Sequence, residues 1–100
     1  MSELKLTKAA FDDLVEIWSF IAADNELRAD EIVRSIKQQY SRLPQYPLLG
    51  RERNDLCKGY RSLSCGKYSI FYKLVGAEVQ IMRILHGARD VTRLLTDSND

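Results

Sequence analysis

The sequence predicts an α+β domain of order β-α-α-β-β-β, in which an antiparallel C-terminal meander packs on a helical hairpin. Three observations lead there. Two apolar stripes at helical spacing lie about three residues apart in the first half of the chain. Three strand-like runs, joined by two tight turns that each contain a glycine, fill the second half. The composition is that of an ordinary globular protein, with 45% hydrophobic and 29% charged residues and only 5 Gly and 2 Pro in 100.

Residues 3–7 alternate in polarity and read as a short strand, and Thr7 can cap a following helix. Phe11, Leu14, Trp18, Ile21 and Ala22 recur at spacings of three and four, which predicts a helix over 8–23 with one apolar stripe. Asp12, Asp13 and Glu16 stand near its start, where the helix dipole favours acids. Ala23-Asp24-Asn25 is a turn, with Asp24 or Asn25 as the next cap. Ala29, Ile32, Val33, Ile36, Tyr40 and Leu43 form the second stripe, over 25–43, and Pro44 disfavours its continuation. Two amphipathic helices joined this closely must lie antiparallel.

The stretch from Pro44 to Gly59 is long for a structureless connection. A role of its own, a short strand, or a helical turn around Leu48–Leu49 are the alternatives. Tyr60–Cys65 and Tyr68–Val75 follow as strands, joined at Gly66-Lys67, and Gly76-Ala77 leads into a last strand over 78–86. If that strand is regular, Val79, Ile81, Arg83 and Leu85 share one face, and Met82 and Ile84 share the other. Apolar residues on both faces require cover on both. The hairpin supplies one side; the 44–59 loop, the C-terminal segment or a partner must supply the other. The first strand is expected on an edge of the sheet. Asp90–Leu95 is a candidate terminal helix capped by Asp90. Residues 1–96 make one domain, with 97–100 as a frayed tail.

Composition narrows the function classes. Net charge is +1, with 15 Lys/Arg against 14 Asp/Glu, short of the basic excess of a dedicated phosphate binder. The sequence shows no apolar signal region and no apolar run near the ~18 residues of a membrane span, so a cytoplasmic protein is expected. Cys57 and Cys65 then read as thiols. With one His and no close Cys/His cluster, no metal and no cofactor are expected.

Several segments in order carry a resemblance. They are Asp12-Asp13-Leu14 with Ile17-Trp18 and Ile21-Ala22, then Gly50-Arg51-Glu52-Arg53 and Gly59-Tyr60-Arg61. Gly66-Lys67-Tyr68-Ser69-Ile70-Phe71-Tyr72 and Ile81-Met82-Arg83-Ile84-Leu85-His86-Gly87-Ala88-Arg89-Asp90 follow. From about Lys5 to Leu95 the chain resembles the ParE branch of the RelE/ParE toxin superfamily, most specifically at its Arg-Ile-Leu-His-Gly-Ala-Arg-Asp ending. The resemblance implies a RelE/ParE-like fold and the toxin of a type II toxin–antitoxin pair. It implies DNA gyrase as the target, a ParD-like antitoxin as the partner, and promoter DNA met only through that antitoxin. RelE-like members instead cut mRNA on the ribosome, and that is the alternative activity.

Metal-free RNA cleavage needs a base, an acid and cations for the phosphorane charge. Arg61, Arg83, His86 and Glu52 make a conceivable set, but the cationic cluster is thin, and the preferred reading is a binding inhibitor without enzymatic activity. His86 has a structural alternative, fixing the Gly87 turn. Arg83 has one too, an ion pair with Asp90, Asp13 or Glu16. The basic stretch with Arg83, His86, Arg89 and Arg93 holds the candidates for target binding. Trp18, Arg51, Arg53 and Arg61 are the candidates for antitoxin binding, with core packing as the alternative for Trp18 and a solvated loop face for Arg51 and Arg53. Tyr68, Phe71 and Tyr72 are expected to fill both faces of the sheet rather than stack on bases.

Overall fold

Residues 3–87 are described in the computed structural model. The elements run β1 (Glu3–Leu6), α1 (Lys8–Ala22), α2 (Glu26–Tyr40), β2 (Arg51–Glu52), β3 (Tyr60–Cys65), β4 (Tyr68–Val75) and β5 (Glu78–His86). The five strands form one sheet of order β1-β5-β4-β3-β2, with β1 parallel to β5 and every other pair antiparallel. The terminal helix expected at 90–95 and the tail at 97–100 lie outside the described residues.

Local chemistry accounts for the boundaries. Thr7 caps α1 by accepting from the Ala10 N–H, and Asn25 caps α2 by accepting from the Arg28 N–H, both at 3.1 Å. The acids expected near the start of α1 begin just past its first turn. Asp12 pairs with Lys8 four residues earlier, and Asp13 turns inward. Gly66 and Gly76 take φ of +58° and +61° at the two hairpin turns, a region that only glycine enters without strain. The 44–59 connection holds the two-residue strand β2, paired to Ser62 and Arg61 on the sheet edge.

The helical hairpin covers one face of the sheet, where Leu14, Ile36 and Tyr40 pack on Ile70, Tyr72 and Ile81. On the far face, Leu56 and Tyr60 pack on Phe71 and Leu85. The loop that carries Leu56 is closed by its own bonds. The Arg53 carbonyl accepts from the Leu56 and Cys57 N–H groups, and Asn54 Oδ1 accepts from the Gly59 N–H at 2.9 Å. Phe71 and Tyr72 fill opposite faces, both fully buried.

The last strand is not regular. Phe71 pairs with Arg83 but Tyr72 pairs with Ile81, so Met82 is an extra residue, a β-bulge. The alternation therefore changes phase. Ile84, not Leu85, joins Val79 and Ile81 on the helix side, while Leu85 joins Phe71 on the far side. This corrects the face assignment drawn from strict alternation. The bulge has visible causes. β1 ends at Leu6, and Thr7 then donates from its N–H to the Ile81 carbonyl at 3.1 Å. Its hydroxyl lies 2.9 Å from the same carbonyl and 3.1 Å from that of Met82, which it can reach as a shared donor.

Candidate functional site

Beyond Ile81 the outer edge of β5 has no strand partner among the described residues, because β1 pairs only with Glu78–Ile81. An unpaired buried N–H there would cost about 1–3 kcal/mol. Asp13 meets that need: its Oδ2 accepts from the Ile84 N–H at 3.0 Å. The same carboxylate takes a two-pronged contact from Arg83, Nε to Oδ2 at 2.8 Å and Nη2 to Oδ1 at 3.0 Å. The side chains are 11% and 5% exposed. The hydrogen bond to Asp13 raises the Arg83 pKa above its already high value, against the opposing effect of burial, and Glu16 adds to the negative field. Of the three acids considered for Arg83, Asp13 holds it directly, Glu16 adds to the field, and Asp90 lies outside the described residues. A guanidinium held this way joins α1 to β5.

Arg61 is placed at the other edge of the sheet. In register it lies beside Tyr72, on the helix side, whereas Arg83 lies beside Phe71 on the far side, so the two arginines do not converge. Arg61 Nε donates to the Gly50 carbonyl at 2.9 Å, and its Nη1 stands 3.6 Å from Glu52. The Tyr72 hydroxyl completes a strap on the same loop, donating to the Pro47 carbonyl and accepting from the Gly50 N–H, both at 2.8 Å. A Cβ at Gly50 would stand 2.7 Å from the Ser62 carbonyl oxygen and from the Tyr72 ring, so only glycine fits. Arg53 pairs with Asp55, whose carboxyl is held below its usual pKa by that hydrogen bond, and Arg51 is exposed on β2.

His86 closes β5 and packs edge-on against Tyr68, with ring centroids 5.6 Å apart. It lines a groove of about 820 Å³ between the hairpin tip and the β3–β4 turn, with Glu16, Phe20, Arg28, Lys67 and Tyr68. Of the four residues considered for RNA cleavage, Glu52 and Arg61 are together, while Arg83 and His86 are each placed elsewhere. Arg89 and Arg93 lie outside the described residues. Among the described residues no group of three His, Cys, Asp or Glu is arranged to hold a metal ion, and no helix is long and apolar enough to cross a membrane.

Sequence reasoning missed one surface. The apolar positions of α1 fall on two stripes. Ala10, Leu14 and Ile17 face the sheet, with Ile21 continuing their row to the groove at the hairpin tip, while Phe11, Val15, Trp18 and Ala22 follow the next row round the helix. Phe11, Val15 and Trp18 are 56%, 48% and 37% exposed. The expected single stripe merged the two, so Phe11 and Trp18 are not core residues. The signal was present, because a helix that needs one apolar row carries two.

Comparison with known proteins follows the same line. A family profile described as the ParE toxin of type II toxin–antitoxin system, parDE, matches residues 4–91. Toxin ParE3 of Caulobacter vibrioides is 30% identical over 96 residues, covering 95% of this chain and 96% of that protein. Toxin ParE1 of Mycobacterium tuberculosis is 31% identical over 99 residues, covering 94% and 98%. Among solved structures, a chain of the chromosomal ParDE toxin–antitoxin system of Pseudomonas aeruginosa superposes with a TM-score of 0.77 at 29% identity. It covers 87% of this chain and 97% of that one. A chain of the RelBE2 toxin–antitoxin complex of Mycobacterium tuberculosis shares the fold, with a TM-score of 0.59 at 24% identity over 85% and 96%.

Proposed function

This chain belongs to the ParE toxin family of type II toxin–antitoxin systems, and on that footing we propose that it inhibits DNA gyrase by binding and is silenced by a ParD-like antitoxin. It acts in the cytoplasm, where gyrase and its DNA are, and touches promoter DNA only through the antitoxin. The observation that supports binding over RNA cleavage is the state of Arg83. A cleavage site needs a cation free to meet the phosphorane. Here the arginine that sequence places best for that task is buried against Asp13 at 2.8 and 3.0 Å. Arg61 is spent on the carbonyl of Gly50 at 2.9 Å.

Expression of the chain without its antitoxin tests the reading. Gyrase trapped on cleaved DNA induces the SOS response and filamentation while translation continues. Translation that stops first, with full-length messages lost and SOS silent, supports ribosome-dependent cleavage and contradicts the proposal.

A further inference from the structure

The groove of about 820 Å³ at the hairpin tip has apolar walls, formed by Ile17, Phe20, Ile21, Ile32, Tyr68 and Ile84. Phe20 is exposed on that wall. β5 delivers the chain to the mouth of the groove. Gly87 donates from its N–H to the Lys67 carbonyl at 2.8 Å, and both His86 and Lys67 line the groove. Residues 88–95 read Ala-Arg-Asp-Val-Thr-Arg-Leu-Leu. Val91, Leu94 and Leu95 fall at i, i+3 and i+4, the spacing of one helix face. At the same period Arg89 and Arg93 fall at i and i+4 on the opposite face. The far face of the sheet does not call for this segment, because Leu56 and Tyr60 already pack there on Phe71 and Leu85. The charges along the groove decide which way the segment lies. Arg28 and Lys67 line it, while Asp13 is engaged by Arg83 and Glu16 adds to the field at Arg83. Inward-facing arginines would meet Arg28 and Lys67 as like charges, whereas Asp90, on the flank of the apolar face, meets them with opposite sign.

We infer that this groove is the seat of the chain's own residues 88–95, which fill it with Val91, Leu94 and Leu95 and hold Arg89 and Arg93 outward, one turn apart. A segment joined to the groove at Gly87 meets it at high effective concentration, which favours it over a separate apolar ligand. Burial of three apolar side chains on Ile17, Ile21 and Ile32 is the driving force. An outward pair of guanidiniums is a phosphate-binding element, and gives the gyrase-bound DNA a point of contact. That last step rests on the gyrase reading above; the seat does not.

Two native thiols report on the seat. Cys65 lines the groove, and burial pushes its thiol pKa up; Cys57 stands next to Leu56, on the loop over the far face. Alkylation of the full chain with iodoacetamide, followed by peptide mass spectrometry, reads both in one sample. Leu94→Asp with Leu95→Asp should speed alkylation of Cys65 on the order of 10-fold and leave Cys57 unchanged. Arg89→Gln with Arg93→Gln should leave both rates as in wild type and weaken gyrase trapping on the order of 10-fold. An unchanged Cys65 rate in the leucine variant overturns the seat. A faster Cys65 rate in the arginine variant overturns the outward orientation. If both thiols speed up in the leucine variant, the mark of general unfolding, the wild-type chain decides. Nuclear Overhauser contacts between the Leu94 or Leu95 methyls and the Phe20 ring support the seat, and their absence overturns it. An arginine variant that traps gyrase like wild type overturns the target contact. A wild-type chain that traps no gyrase refutes the gyrase reading, and the Cys65 rates still decide the seat.

Discussion

Replacing either member of the Asp13–Arg83 pair gives the sharpest test of how this fold is held. Asp13→Leu leaves the Arg83 guanidinium buried without its carboxylate and the Ile84 N–H without its acceptor. Breaking a buried pair from one side costs about 3–5 kcal/mol. Glu16 contributes a second negative field at Arg83, which places the loss near the lower bound, about 3 kcal/mol. Arg83→Met strands the carboxylate with the single Ile84 N–H and should also cost about 3 kcal/mol. The double variant removes both charges and leaves only the N–H unsatisfied, about 2 kcal/mol. The cycle should therefore show a coupling of roughly 4 kcal/mol, above the usual 0.5–3 for residues in contact because each single change strands a buried charge. Urea unfolding followed by circular dichroism at 222 nm measures it. For a domain of this size each single change should lower the melting temperature by roughly 12–24 °C. Single changes below about 1 kcal/mol that add without coupling would refute the reasoning, because they describe a solvated pair whose arginine is available to a target.

Three further outcomes follow from the geometry. Gly50→Ala forces a Cβ to 2.7 Å from the Ser62 carbonyl and the Tyr72 ring, and should cost about 2 kcal/mol in the same unfolding assay. Tyr72→Phe removes both bonds of the strap, to Pro47 and Gly50, and should cost about 1–3 kcal/mol, read as faster proteolysis within the 44–52 loop. His86→Ala should reduce toxicity only in proportion to the stability lost. A loss of about 100-fold or more at unchanged melting temperature is the mark of an acid or base, and would favour cleavage.

The parts of the fold legible in the sequence are those written in local patterns. Leu14, Ile36 and Tyr40 report the hairpin through their spacing, and Gly66 and Gly76 report the turns because nothing else takes their φ cheaply. The bulge at Met82 was not legible. It depends on where β1 stops and on Thr7 and Asp13 reaching an edge some seventy residues away in sequence. Asp13 was considered as a partner for Arg83, but alternation alone put Arg83 on the wrong face. Arg61 illustrates the opposite limit. Its place on β3 was readable, while its use as an anchor for Gly50 follows from the path of a loop with no periodicity. Of the candidate site, the strand-end position of His86 was legible, and the groove beside it needed the tip of the hairpin folded over the β3–β4 turn.

Gyrase itself supplies the most direct measurement. Purified chain is added to gyrase, ATP and relaxed plasmid, and cleaved DNA is read after denaturation with detergent and protease. The same preparation is added to programmed ribosomes. The account predicts linear plasmid that accumulates with toxin, disappears when the antitoxin is added first, and is accompanied by intact mRNA. Intact plasmid with mRNA cut on the ribosome would contradict it.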